Sequence, residues 1–156
     1  MINCKIANVK FRFSLVSNLM KNQLEKYVTN EQGEINISSE IVDKINVPQT
    51  EAKFHSKYYD VYQDNDDLIQ IQKNENNGYI GAVIYKENSA IILMENGDVG
   101  RKEYLLTEYA CLYFILKHEN AILIHSSSIQ YKDKGILFIL SPRNNLRFLL
   151  TSAPPI

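Results

Sequence analysis

The 156-residue sequence has no tryptophan, only two cysteines and four prolines, and no excess of charge of either sign. Seventeen Lys and Arg residues stand against eighteen Asp and Glu residues, and this balance argues against the basic surface that nucleic acids and anionic membranes require. No apolar run reaches the roughly 20 residues of a membrane-spanning helix, and the N-terminus alternates polar and apolar residues instead of forming a secretory leader. We therefore expect neither nucleic acid nor membrane as a partner, and we predict a cytoplasmic protein.

The residue types that usually bind metals or form disulfides are not grouped in this sequence. Cys4 and Cys111 lie far apart, which argues against a disulfide scaffold or a structural zinc site and indicates reduced core residues. The acidic residues of the segment 64–67 begin like a calcium loop, but the glycine and glutamate that such a loop needs further on are missing. The sequence therefore predicts no metal site.

The first hundred residues are dominated by short runs typical of β-strands. Residues 2–15 predict one strand with a bulge near Ala7 and Asn8. Residues 38–45 predict a short helix, because Ser38 and Ser39 precede spaced apolar residues. The segments between the later runs are rich in Asn and Asp, as turns are, and this arrangement predicts an antiparallel meander. Its strands are predicted at 58–62, 68–72, 79–85 and 90–94, with 99–104 pairing back across a turn at Asn96 and Gly97.

The hydrophobic period changes at Leu105. Apolar residues then recur at helical spacing, which predicts a main helix over about 105–119 with Thr107 as its N-cap. A β-prone run at 121–131 and the apolar run at 136–140 follow, and they predict a buried central hairpin. The predicted fold class is α+β: a β-rich antiparallel or mixed sheet with one main helix.

The residues from about 105 to 142 resemble one known family. These are the helix TEYACLYFILKHE, the strand AILIHSSSIQY, the turn ending at Gly135 and the strand ILFIL. Their order and spacing are similar to the approach to the phosphate-binding P-loop in HPr serine kinases and phosphoenolpyruvate-carboxykinase-like proteins. The resemblance implies that the chain has the N-terminal part of such a fold. In that family, ATP and Mg²⁺ bind at the P-loop and the enzyme phosphorylates serine on a protein.

The sequence departs from the family at the P-loop itself. Such a loop needs glycines for close backbone approach to phosphate, a lysine for the β and γ oxygens, and Ser or Thr for Mg²⁺. Leu140 stands at the first small residue, Asn145 at the second glycine, Leu146 at the lysine and Arg147 at the Ser or Thr. We therefore expect a degenerate P-loop with no catalytic residue and no metal ligand. For this chain itself we expect no cofactor.

A degenerate nucleotide site is the only candidate site that the resemblance implies. It comprises His125, Gly135, Ser141, Arg143 and Asn145. For His125 an alternative remains, a core histidine hydrogen-bonded to backbone. A hydrolase based on this histidine and the serines that follow it is disfavoured, because neighbouring residues of a strand point to opposite faces.

The last fifteen residues differ from the rest in composition. Two of the four arginines and three of the four prolines fall within 142–156, where no acidic residue occurs. We interpret residues 1–141 as one β-rich domain with an incomplete kinase-like fold, and residues 142–156 as an atypical tail from a frameshift or early stop. The alternative is a genuine short paralogue.

Three functions follow as expectations. The favoured one is a truncated, inactive HPr kinase-like protein that binds a protein or peptide partner, or a second copy of itself, through an open sheet. The alternatives are the N-terminal part of an ATP-dependent serine kinase, and a pseudogene product without function.

Overall fold

The computed structural model describes residues 1–74 and 78–119, and the backbone of three strands at 126–131, 134–140 and 146–152. The chain divides into two compact units, Met1–Asn120 and Ala121–Ile156. The first unit contains an eight-stranded mixed sheet and two α-helices, of which one is much the longer. The predicted α+β class with one main helix is therefore confirmed.

The eight strands of the first unit form one sheet in the order β1-β2-β3-β8-β7-β6-β5-β4. β2 with β3 and β3 with β8 are parallel pairs, and the other pairs are antiparallel. The predicted meander is confirmed, because β5 to β8 pair in sequence order. The strands are β1 (Ile2–Ile6), β2 (Val9–Ser14), β3 (Ile35–Val42), β4 (Phe54–His55), β5 (Tyr59–Asp64), β6 (Asp67–Lys73), β7 (Tyr79–Tyr85) and β8 (Ser89–Glu95).

The N-terminal segment is a hairpin, and the prediction of one bulged strand is wrong. Ile6 pairs with Val9, and the two residues between them, Ala7 and Asn8, have φ angles of 48° and 66°. Positive φ at both central positions is the geometry of a two-residue turn that reverses the chain. Alternating apolar residues on both sides of the turn are equally compatible with one strand or two, so the pattern alone did not reveal the reversal.

Two further predictions of secondary structure are wrong for related reasons. Residues 38–42 belong to β3, where alternation of buried and exposed positions prevails over the helix-opening residues Ser38 and Ser39. Residues 99–104 form the first turns of the main helix α2 (Val99–Glu119) and not a strand. Thr107 is consequently a buried residue within the helix and not its N-cap. The predicted end of the helix near residue 119 is confirmed.

Helix α2 covers one face of the sheet. Its Leu106, Ala110 and Phe114 are fully buried against residues of β2, β3, β7 and β8. A second helix, α1 (Asn18–Leu24), connects β2 to β3 and adds Met20 and Leu24 to this core. A 3₁₀ turn at Glu25–Tyr27 follows it. The strand–helix–strand path explains why β2 and β3 are parallel, since a helical crossover returns the chain in the same direction.

Gly81 lies at the closest approach of α2 to the sheet. A Cβ atom at this position would lie 2.5 Å from Leu106 Cδ1 and 2.6 Å from the carbonyl oxygen of Leu93. Such distances are far inside van der Waals contact, so only glycine fits here without displacement of the helix or of β8. The absence of a side chain at residue 81 thus sets how closely α2 packs.

The second unit contains a three-stranded antiparallel sheet in the order β11-β10-β9. The predicted pairing of the apolar run with the preceding strand is confirmed, and the apolar run is the central strand. Sequence analysis did not predict the third strand. The strands are β9 (Ser126–Tyr131), β10 (Lys134–Leu140) and β11 (Leu146–Ser152).

Candidate basic pocket

The residues predicted for the degenerate nucleotide site are only partly placed. His125, Ser141, Arg143 and Asn145 lie outside the described residues. Gly135 lies in β10, where it pairs with Gln130 of β9 and Thr151 of β11. The nucleotide-site assignment therefore stays a prediction.

A cavity with a basic lining lies beside the start of α2. It has a volume of about 320 Å³, and we call it the basic pocket. Three of its side chains are basic and none of its described ones is acidic, although the whole chain has a net charge of −1. The lining residues are Lys57, Tyr58, Gln72, Lys73, Asn74, Ile80 and Arg101.

The three basic side chains come from different parts of the fold. Lys57 lies in the turn between β4 and β5, Lys73 is the last residue of β6, and Arg101 belongs to the first turn of α2. Lys57 and Arg101 are exposed, and neither forms an ion pair within the described part of the chain. Lys57 Nζ instead lies 5.5 Å from the ring centroid of Tyr58, which is itself 60% exposed. Two cations are therefore available to an anionic group entering from solvent.

Lys73 differs from the other two because it is already paired. Its Nζ lies 2.7 Å from Oδ1 of Asp60, and His55 Nδ1 lies 2.7 Å from the same oxygen. The side chains of Lys73 and Asp60 are each 12% exposed, so this ion pair is largely removed from water, whereas His55 is exposed. Asp60 thus neutralises much of the charge that Lys73 brings to the pocket.

Gln72 contributes the most buried polar side chain of the lining, with 5% of its surface exposed. Its Oε1 is buried and accepts no hydrogen bond within the described residues. An unpaired buried carbonyl oxygen costs on the order of 1–3 kcal/mol, so a side chain in this state is uncommon unless something compensates it. A small shift that brought this amide to a ligand with an N–H or O–H group would remove that cost.

An exposed aromatic edge adjoins the basic pocket. β4 contains only Phe54 and His55, and it pairs with the first half of β5 through Val61 and Asp60. The Phe54 side chain is half exposed, and its ring stacks on that of Tyr59 with centroids 5.4 Å apart. A short edge strand with an exposed aromatic ring leaves backbone and apolar surface accessible to another polypeptide.

Sequence analysis did not identify this site, because the acidic residues of 64–67 follow Lys57 closely in the linear sequence and offset its positive charge. In the fold those acidic residues lie at the far end of β5 from Lys57. Lys73 and Arg101 join Lys57 only through strand pairing and helix packing, and no local pattern in the sequence indicates this.

Comparison with known proteins returned no family. The chain matches no protein-family model, and no curated protein or solved structure is significantly similar to it. The described residues include no cluster of three or more His, Cys, Asp or Glu able to hold a metal ion. No helix in the described part of the chain is both long and apolar enough to cross a membrane.

Proposed function

We propose that this chain is a binding module that recognises an acidic segment of a partner protein and does not transfer phosphate. The observation that carries the proposal is the basic pocket, where Lys57 and Arg101 are exposed without carboxylate partners among the described residues. An acidic side chain bound there would gain charge-assisted hydrogen bonds from both. We also propose, from the sequence resemblance, that the chain is related to the HPr serine kinases.

A peptide suits this site better than a free anion does. The aromatic edge at Phe54 and the exposed ring of Tyr58 offer apolar surface next to the cations. The buried Gln72 amide has an unused acceptor, which a peptide N–H would satisfy and a fully ionised carboxylate would not. A ligand with an acidic side chain, a backbone N–H and an apolar neighbour therefore uses more of the lining than an isolated carboxylate.

The absence of phosphoryl transfer is supported by the sequence and by the second unit. A P-loop is followed by a helix whose N-terminal amides face the phosphates. Here Leu146 and Arg147, at the positions of the motif's lysine and Ser or Thr, begin strand β11, which returns antiparallel to β10. Neither residue supplies the ammonium group or the hydroxyl ligand that the reaction needs.

The proposal is tested by NMR titration of the labelled protein with a glutamate-rich decapeptide that contains one tyrosine. We expect saturable shifts of the amides of Lys57, Gln72 and Arg101, and a marked loss of binding as salt is added. Arg101→Glu should weaken binding by about tenfold or more, equivalent to about 1.4 kcal/mol.

The matched control is Lys26→Glu, which makes the same charge change at an exposed lysine outside the basic pocket. Equal loss of binding in Lys26→Glu and Arg101→Glu would mean that net charge alone drives the association. Shifts spread evenly over the surface, or absent altogether, would overturn the proposed site.

A further inference from the structure

Strand β6 contains two glutamines, Gln70 and Gln72, whose carboxamides are treated differently by the fold. Both lie on the same face of the sheet, because side chains two residues apart on a strand point the same way. Gln70 Oε1 accepts a hydrogen bond from the hydroxyl of Tyr85 at 3.1 Å. Gln72 Oε1 is buried in the basic pocket and accepts none within the described residues. The fold therefore satisfies the first acceptor and leaves the second one open to a donor from outside.

The pairing of β6 with β7 changes register beside this unpaired amide. Gln72 pairs with Gly81, but Lys73 pairs with Tyr79, so Ile80 has no partner in β6. Ile80 is therefore the extra residue of a β-bulge, an irregularity that is common next to functional sites, where it redirects side chains. Gln72 and Ile80 both line the basic pocket, so the unpaired acceptor and the bulge occur at the same place.

We infer that the basic pocket binds the side chain of a tyrosine within the acidic segment, and that Gln72 is the residue that selects it. This inference rests on the proposed function, because it specifies one side chain of the ligand proposed there. The phenol O–H donates a hydrogen bond to Gln72 Oε1, and the phenol oxygen accepts one from Lys57 or Arg101. A hydroxyl group both donates and accepts, so it uses both kinds of polar group in the lining.

The aromatic ring distinguishes tyrosine from the other side chains that both donate and accept. Serine, threonine and the amide side chains offer no ring to the exposed ring of Tyr58 or to the aliphatic side chain of Ile80. A side-chain donor also reaches the buried Gln72 acceptor more readily than a backbone N–H does. Main chain brought to that depth would bury polar groups of its own that need partners.

Charge and hydrogen-bonding pattern disfavour the remaining donors. A lysine or arginine of the ligand could donate to Gln72, but Lys57 and Arg101 would repel it. The indole of tryptophan donates through its N–H and accepts nothing, so it would leave the two cations unused. Phosphotyrosine presents mainly acceptor oxygens, and these would oppose the carbonyl oxygen of Gln72. The unmodified phenol is therefore the group that matches the lining.

The experiment is a calorimetric titration of the full chain with glutamate-rich decapeptides that differ only at one central residue: tyrosine, phenylalanine, para-fluorophenylalanine or phosphotyrosine. The fluorine fills the space of the hydroxyl without donating. We expect the tyrosine peptide to bind about tenfold more tightly than each of the others. Equal binding of tyrosine and phenylalanine, or tighter binding of phosphotyrosine, would overturn this inference and leave the acidic-segment proposal standing. Absence of binding by all four peptides would overturn both.

A matched pair of glutamine variants tests the role of Gln72 itself. Gln72→Met keeps the length of the side chain and removes the acceptor, so the preference for tyrosine over phenylalanine should fall from about tenfold to about one. Gln70→Met makes the same change two residues away and removes the acceptor of the Tyr85 hydroxyl. It should lower the urea midpoint more than Gln72→Met does and keep the preference. A tyrosine preference that survives in a folded Gln72→Met variant would overturn the inference.

Discussion

Glu103 of α2 accepts a hydrogen bond from the backbone N–H of Val16 at 2.9 Å, although the two residues are 87 positions apart in the chain. The carboxylate is fully buried and has three further donors: the N–H of Ser17 at 3.0 Å, the hydroxyl of Ser17 and the hydroxyl of Ser39. Ser17 is the N-cap residue of α1 but makes no side-chain hydrogen bond to that helix. One side chain therefore joins the end of β2, the start of α1 and the middle of β3 to α2.

Removal of this carboxylate should destabilise the first unit strongly. Glu103→Ala leaves buried N–H and O–H donors without an acceptor, and we expect a loss of about 3 kcal/mol or more in the free energy of unfolding. Glu103→Gln keeps one acceptor oxygen and should cost about half as much. Urea unfolding measures both. Glu108→Ala, at an exposed position of the same helix, is the control, and a similar loss there would show that removal of a negative charge from α2, and not loss of the buried network, is responsible.

The glycines at 81 and 100 should respond in opposite ways to the same substitution. Gly81→Ala places a methyl group 2.5 Å from Leu106 Cδ1, so we expect a loss of about 1–3 kcal/mol through overpacking. Gly100→Ala in α2 places it 3.5 Å from Leu19 Cδ2, which is ordinary contact, and should stabilise by about 0.5–1 kcal/mol through helix propensity. Thermal unfolding compares the two. Equal effects would contradict the packing of α2 against β7.

Stability should decline in alkaline solution because of two buried thiols. Burial raises the pKa of Cys111 from 9.0 to about 12, and burial also raises the pKa of Cys4. The folded state thus keeps protons that the unfolded state loses. The stabilisation is complete below the ordinary thiol pKa and disappears as the pH rises towards the folded value. The slope for Cys111 is at most about 1.4 kcal/mol per pH unit.

Urea unfolding at about pH 8 and about pH 10.5 checks this prediction. Cys111→Ala should lower stability at both pH values but reduce the difference between them. An unchanged difference would assign the alkaline loss to other groups, of which Tyr85 is the first to consider, because burial also raises the pKa of its hydroxyl.

The sequence predicted the strands of the meander and the end of α2, but not the beginning of α2. From β5 to β8, each strand is one short β-prone run bounded by turn residues, so local pattern and tertiary structure agree. The residues 99–104 do not repeat apolar side chains at helical spacing, and a charged residue such as Glu103 is typical of an exposed position. Its burial depends on donors from β2, α1 and β3, which are distant in the chain.

The basic pocket depends even more on contacts between residues that are distant in the chain. Lys57, Lys73 and Arg101 come from three separate elements, and no spacing rule connects them. By contrast, the resemblance at 105–142 rests on consecutive residues of the sequence, so a local pattern is enough to state it.

Asp60→Asn should strengthen the binding of the acidic decapeptide while it weakens the fold. The substitution removes the carboxylate that neutralises Lys73, so the basic pocket gains an unpaired ammonium group. We expect a several-fold increase in affinity at low salt that disappears as salt is added. The cost is a largely buried lysine without its partner, and the free energy of unfolding should fall by about 1–3 kcal/mol. Calorimetric titration and urea unfolding measure the two effects. Unchanged affinity in a folded variant would mean that Lys73 does not contribute to the pocket.

Mg-ATP should show no saturable binding to this chain at millimolar concentration. The motif positions occupied by Leu146 and Arg147 provide neither the lysine nor the hydroxyl, and the chain continues there as a strand. Arg147 offers a guanidinium charge to a phosphate, but it does not supply the hydroxyl ligand that Mg²⁺ needs. Equilibrium dialysis with labelled ATP and Mg²⁺ tests this, with inorganic triphosphate as the control for charge alone. Saturable binding of ATP but not of triphosphate would restore the kinase interpretation, and the residues 141–147 would then be the first to substitute.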